Sequence, residues 1–182
     1  MCVSDIDSND APYFYFYGNS KRGVNNGYSE MNPDKLQCMV QLIVSKEKNG
    51  VPKTKLNKEM YYADFYSYKK YGRSISGLAY RAIQYGPVPE HYETVYDHVQ
   101  GLTKKSIEAS ADFEYDLLFC DSPDTSALSK EDIHVINQVM SVLVDMKRAD
   151  VVDLSHKENG WINNKDHHNI IPYDEAYSLK AF

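Results

Sequence analysis

Residues 106–119 read Ser-Ile-Glu-Ala-Ser-Ala-Asp-Phe-Glu-Tyr-Asp-Leu-Leu-Phe, the strictest alternation in the chain. Ile107, Ala109, Ala111, Phe113, Tyr115, Leu117 and Phe119 fall on one parity, and Ser106, Glu108, Ser110, Asp112, Glu114 and Asp116 on the other. A period of two puts alternate side chains on opposite faces. The stretch therefore reads as a strand, or as a hairpin turning near Asp112 to Glu114, with one wet face. Most of the surrounding chain carries the helical period instead. The expected fold class is α+β: a mainly helical single domain with a small antiparallel β-sheet.

On the N-terminal side, Asn32 and Pro33 suit the cap and first position of a helix whose stripe is Leu36, Met39, Val40 and Ile43. Asn49-Gly50 closes it, and a second helix is expected from about Thr54 to Tyr71, with Leu56, Met60, Tyr61, Phe65 and Tyr68 inward and Gly72 as the stop. Two prolines hold Tyr85-Gly86-Pro87-Val88-Pro89 extended, and Pro89 reads as the opening of a helix through Tyr92, Val95, Tyr96 and Val99 to Gly101. On the C-terminal side the longest helix is expected from about Ser129 to Val151. Ser129 and Asp132 resemble a capping box, and two interleaved apolar stripes mark this helix as the central post of the core. A second box, Ser155 to Glu158, opens a short helix, and a last one begins near Pro172.

Residues 1–32 differ in kind. An acidic start leads into Tyr13-Phe14-Tyr15-Phe16-Tyr17, either a short strand or the remnant of an upstream element, and then into a Gly/Asn-rich run from Gly18 to Gly27 that reads as a linker. The expected organisation is a tail over 1–32 and one domain over 33–182.

The length of 182 residues fits one domain with a tail. With 20 Lys+Arg against 26 Asp+Glu the charge is -6, so no global basic field gathers phosphates, and nucleic-acid binding is not the expected job. Cys2, Cys38 and Cys120 form no C-x-x-C pair, which excludes a disulfide framework and a zinc ribbon. Acids at the N-terminus and the lack of a long apolar run exclude a signal peptide and a membrane span, so a cytoplasmic home is expected. Sixteen tyrosines supply rings that pack with the body and hydrogen-bond with the tip, a usage that suits wet interfaces or a core.

Chemistry is sparse. No Gly-rich phosphate loop occurs. Asp166, His167 and His168 read as a solvated turn, and Cys120 as a buried, inert thiol. His156 is expected to brace a helix start against the core. Asp64 lies at the edge of an apolar stripe, where burial demands a partner; Lys58, Arg73 or Arg81 would make a fixed ion pair. Lys53, Lys55, Lys58, Lys69, Lys70 and Arg73 form the one basic cluster, read as a solvated helix face or as a site for an acidic protein surface. An enzyme would have to join Asp64, His156 and a tyrosine in one pocket. No catalytic residue, cofactor or metal is assigned.

Lys55-Leu56-Asn57-Lys58, Met60-Tyr61-Tyr62-Ala63-Asp64-Phe65, Lys70-Tyr71-Gly72, Ser74-Ile75-Ser76-Gly77 and above all Tyr85-Gly86-Pro87-Val88-Pro89 resemble the Panacea domain, the SocA-like or phage-associated GepA-like antitoxin family. Ser155-His156-Lys157-Glu158 with Trp161, and Ile171-Pro172-Tyr173-Asp174-Glu175-Ala176, look like its C-terminal signature. The resemblance covers about residues 33–179. It implies an antitoxin of a toxin-antitoxin system that neutralises a cognate protein toxin by direct binding; in one type the antitoxin instead delivers its toxin to a protease. Many relatives carry a helix-turn-helix domain before this one. The 32 residues here are too few for it, so the alternative of a DNA-binding regulator is not favoured, and a homo-oligomer is left open. The family-motif and toxin-contact neighbourhood is expected around Lys55, Tyr62, Asp64, Tyr85, Gly86, Pro87, Val88, Pro89, Tyr92, Tyr96, His156 and Trp161, with Tyr85 to Pro89 as its centre or, equally, as a rigid buried corner.

Overall fold

A computed structural model describes residues 23–110 and 113–182. Its elements are α1 (Pro33–Lys46), β1 (Val51–Pro52), α2 (Lys53–Tyr71), β2 (Tyr80–Ile83), β3 (Gly86–Pro89), α3 (Tyr92–Asp97), β4 (Thr103–Ser110), β5 (Phe113–Phe119), α4 (Lys130–Leu143), α5 (Arg148–Ser155) and α6 (Asn159–Ile162). Single 3-10 turns occupy Val24–Asn26, Lys165–His167 and Tyr173–Ser178. The class is α+β, with two small antiparallel sheets on a helical body. No helix among the described residues is long and apolar enough to cross a membrane.

The first two helices follow their local signals. Asn32 Oδ1 accepts the Lys35 amide at 3.1 Å and Pro33 takes the first helical position. α2 ends where Gly72 enters the left-handed region at φ 69 and its amide reaches the Tyr68 carbonyl at 2.8 Å. The expected inward face of α2 is buried, and so are Lys55, Asn57, Lys58, Glu59, Asp64 and Ser67. A helix buried all round is the middle of a core. α2 is packed by α1, α4, α5, β1, β3 and the C-terminal 3-10 turn, so it is the central post, and the expectation that the helix after Ser129 takes that role is corrected.

That later helix is also shorter than its pattern. The Ser129–Asp132 capping box forms as expected, but α4 stops at Leu143 and α5 restarts at Arg148. No glycine or proline lies between them. Lys55 Nζ reaches from α2 to the Val144 carbonyl at 3.0 Å, while also holding Glu47 at 2.5 Å and lying 3.6 Å from Glu59. A cation at a helix C-terminus satisfies a carbonyl that the next turn would otherwise use. Ser155 likewise is no cap: it ends α5, and its hydroxyl donates back to the Val152 carbonyl at 2.8 Å. Glu158, expected to complete that box, accepts the amides of Lys180 and Ala181 at 2.9 and 3.1 Å and the Tyr62 hydroxyl at 3.3 Å. It thereby fastens the C-terminal segment to α2.

The alternating stretch is the β4–β5 hairpin, whose turn at 111–112 lies outside the described residues. β5 pairs with β1 on its other edge, Val51 opposite Leu118. Leu118 is fully buried while Tyr115 and Leu117 are half-buried, so the face read as wet turns into core at its β1 end. The cause is local: Leu117 to Cys120 is apolar on both parities.

A further expectation changes. The Gly/Asn-rich run read as a linker is folded from Gly23 on: Val24–Asn26 is a 3-10 turn, Asn26 is buried, and the Gly27 carbonyl accepts the Ser74 amide at 2.9 Å. The aromatic run at 13–17 lies outside the described residues. Among the tyrosines of α2 and the hairpin after it, Tyr61, Tyr62, Tyr68 and Tyr80 are buried, whereas Tyr71 and Tyr85 are 41% and 62% exposed.

Asp64 sets the path of the chain after α2. Its carboxylate is fully buried and accepts the amides of Ile75 and Ser76, both at 2.8 Å, and the hydroxyls of Ser76 and Tyr80 at 2.5 and 2.6 Å. The cationic partner expected from Lys58, Arg73 or Arg81 is not used; neutral donors take its place. Burial raises the pKa of the carboxyl group, and these hydrogen bonds oppose that rise. Asp64→Ala strands four buried donors. It should cost on the order of 3–5 kcal/mol in urea denaturation, with two-state behaviour retained; a loss under about 1 kcal/mol would show that the loop is held by something else.

Candidate functional site

The hairpin that follows Asp64 solves a problem posed by its own sequence. β2 and β3 pair Tyr80 with Pro89, Arg81 with Val88, Ala82 with Pro87 and Ile83 with Gly86. The Glu90 amide bonds the Ala79 carbonyl at 2.9 Å, which makes 79–90, 81–88 and 83–86 the hydrogen-bonded pairs. Pro87 and Pro89 thus occupy the positions whose missing N–H is not needed. On the far edge of β2, the Ala82 amide and the Tyr80 carbonyl bond Asn169 and Ile171 at 3.0 and 2.8 Å, so the hairpin is wedged into the fold. The expected helix start at Pro89 is corrected: Pro89 ends the strand, and α3 begins at Tyr92.

Between them His91 adopts φ 56, ψ 28, a left-handed conformation that costs a non-glycine residue about 1 kcal/mol. This kink turns the chain from strand into helix within three residues. Arg81 binds Glu90 across the hairpin through Nε at 3.1 Å and Nη2, and its Nη1 donates to the His168 carbonyl at 2.7 Å. Tyr96 anchors α3 by donating its hydroxyl to Asn57 at 2.8 Å, while Tyr92 stays half-buried above it, ring centroids 6.2 Å apart. Two open clefts meet at Tyr92 and Glu93. One, about 390 Å³, is bounded by Arg81, Ile83 and Val88 to Thr94; the other, about 450 Å³, by Pro52 to Thr54, Ser106, Glu114 to Asp116 and Arg148.

The residues singled out from sequence divide into two groups. Lys55, Tyr62, Asp64 and Tyr96 are buried and hold the scaffold. Gly86, Pro87, Val88 and Pro89 are also buried, the rigid corner of the two readings, and Tyr85 projects from the tip. His156 does not brace a helix start, because α5 ends just before it; its ring stacks on Trp161 at 4.0 Å and 14°. Trp161 Nε1 in turn donates to the Ile83 carbonyl at 2.7 Å, fixing the stack to the hairpin. No hydrogen bond among the described residues joins Asp64 to His156. Burial raises the thiol pKa of Cys120.

The basic cluster is not a face. Lys55 is buried in its ion pairs, Lys69 donates to Phe182 at 2.6 Å, Arg73 binds Asp132 at 3.0 Å and Lys53 lies 3.5 Å from Asp97. The spacing follows the helix right round, and so disperses the charges to different neighbours. Sequence reasoning missed His91 and the Arg81–Glu90 pair; a charge pair nine residues apart astride Tyr85-Gly86 was the available signal.

Lys58 is the outlier. It is fully buried, and among the described residues no group hydrogen-bonds its amine. Gly86, at φ +97, makes room for it: a Cβ there would lie 2.8 Å from Lys58 Cε and 2.6 Å from Ser155 Oγ. Loss of hydration pulls the pKa of Lys58 down to about 7. An unfolded lysine stays protonated to about 10.4, so between pH 7 and 10 the unfolded state binds more protons and stability rises with pH. Urea denaturation at pH 7, 8 and 9 should show a gain of up to about 1.4 kcal/mol per unit that Lys58→Met removes; a flat profile for the wild type would contradict an uncharged, buried amine.

A family model described as "Antitoxin SocA-like, Panacea domain" matches residues 56–162. These limits take in most of α2, the hairpin, α3, the β4–β5 sheet, α4, α5 and α6. No curated protein and no solved structure matches the chain.

Proposed function

The chain belongs to the antitoxin SocA-like, Panacea-domain family, and on that premise we propose that it neutralises a cognate protein toxin by binding it directly, through the face built by β2, β3 and α3. One observation supports the reading above the others. Most of the family-motif residues on α2 are used in holding the scaffold, whereas the hairpin and α3 present Tyr85, Tyr92, Arg81 with Glu90, and the kink at His91 around two open clefts. Tyrosine gives a large contact area at low ordering cost, and arginine joins it in the residues that dominate protein interfaces. The face is also rigid. Pro87 and Pro89, the Asn169–Ile171 strap and the Trp161–Ile83 bond hold it before any partner arrives, which lowers the entropy lost on binding.

Catalysis has no part in this reading. Every hydrogen bond to Asp64 comes from the donors that place the loop, so its carboxylate is already spent on the fold. The site of action is the cytoplasm, where a growth-arresting toxin would work.

The reading is tested by expressing the product of the adjacent gene with and without this protein. The neighbour should arrest growth alone, growth should return on co-expression, and the two should co-purify. Tyr85→Ala and Tyr92→Ala should each weaken the complex roughly 10- to 100-fold, equivalent to about 1.4–2.7 kcal/mol, and leave the melting temperature within about 2 °C. A neighbour that is harmless alone, or toxic beside this protein, removes the antitoxin reading. Toxin levels that fall only when a cellular protease is present would replace direct neutralisation by delivery for degradation.

A further inference from the structure

The three-stranded sheet has one open side. Among the described residues its order is β1-β5-β4, and no strand lies beyond β4. Pro52 sets the phase of the ladder. Without an N–H it cannot exchange bonds with Leu117, so Val51 and Leu118 are the hydrogen-bonded pair of β1 and β5, and the Leu118 amide and carbonyl point away from β4. On the alternation that follows, Tyr115, Leu117 and Phe119 bond Ile107, Lys105 and Thr103 of β4. Lys104, Ser106 and Glu108 therefore turn their N–H and C=O groups outward, and all three residues are exposed.

We infer that a second copy of the chain docks on this edge, as an antiparallel β4–β4 pair about a two-fold axis at Ser106. The inference stands independently of the toxin-binding reading. With Ser106 on the axis, Lys104 faces Glu108 of the second copy and Glu108 faces Lys104 of the second copy, so both charge pairs form at once. Outward groups meet outward groups, which gives about six main-chain hydrogen bonds, two for each of three pairs. Registers shifted by two residues are poorer. One sets Lys105 against Lys105; the other leaves Lys104 and Glu108 opposite Ser110 and Ser106. Within one chain Glu108 stands opposite Glu114, a like-charge pair that a lysine from the second copy would relieve. Lys104 can be spared for that contact, because Asp97, which it holds at 2.5 Å, also has Lys53 at 3.5 Å, and an exposed ion pair is worth little. Lysines on an edge strand ordinarily keep other chains away. Here the same strand carries the acid that answers Lys104, in one register with one partner, and the symmetric pairing uses up the edge in a closed dimer.

Sedimentation equilibrium of the full-length protein tests this. Pairing along one short edge buries less than a standard interface, so the dimer should be reversible and well populated by about 100 µM. Each substitution appears twice across the axis. Lys104→Glu and Glu108→Lys should therefore each weaken the dimer at least about tenfold, whereas the double variant, Lys104→Glu with Glu108→Lys, restores both pairs in reverse and should dimerise like the wild type. A wild type that stays monomeric at every concentration overturns the inference, and if Lys104→Glu then also lowers toxin affinity, the edge belongs to the toxin. A dimer that neither single variant weakens, or a double variant as weak as the single ones, places the contact elsewhere and overturns it too. So does a series of species larger than a dimer, because a two-fold edge pair closes on itself.

Discussion

A carboxylate buried without a cation organises this fold. Asp64 sits in the middle of α2 and draws in the two amides and two hydroxyls of Ile75, Ser76 and Tyr80. Those bonds decide where the chain goes once Gly72 has ended the helix. Tyr80 is also the first residue of β2, so the same contact sets the register from which the hairpin, the His91 kink and α3 follow. Neutral donors serve better here than a lysine or arginine would. They stabilise the charge without bringing a second desolvated ion into the core.

Where the physics is local, the sequence was readable. Asn32-Pro33, Gly72, the Ser129–Asp132 box and the two prolines of β3 act within a turn of themselves, and the structure honours each. Where a distant residue intervenes, the local signal misleads. The break after α4 depends on Lys55, 89 positions from the carbonyl it captures, and no sequence window contains both. Ser155 carries the spacing of a cap, yet Glu158 is drawn away to the amides of Lys180 and Ala181. The basic residues on and just after α2 look like one face in the sequence and are dispersed to different neighbours: Lys53, Lys55 and Arg73 to separate acids, Lys69 to the C-terminal segment and Lys70 to Gln138. For the candidate site, the extended corner at Tyr85 to Pro89 was legible from its prolines, while the left-handed His91 and the unpaired state of Lys58 depend on the assembled fold.

Structure and family together separate two kinds of residue that share the same motifs. Most of the motif positions on α2 pack, bridge or tie down the C-terminal segment through Glu158, and explain why the domain folds. Lys58 breaks that pattern, because it carries a buried amine without a hydrogen-bond partner among the described residues. Gly86 and Ser155, which meet it, come from two other motif segments, so three separate stretches of sequence come together at one unsatisfied point. Its position next to the exposed tip of the hairpin connects the buried motif to the face assigned to the toxin.

The most direct measurement is amide hydrogen exchange on the full-length protein, free and saturated with the product of the adjacent gene. The account predicts new protection in residues 80–97 and 156–162, with the aromatic end of α2 near Tyr28 and Tyr177 unchanged. Protection confined to that aromatic end, or to the outer edge of β4, would place the toxin elsewhere and contradict the assignment of the hairpin face.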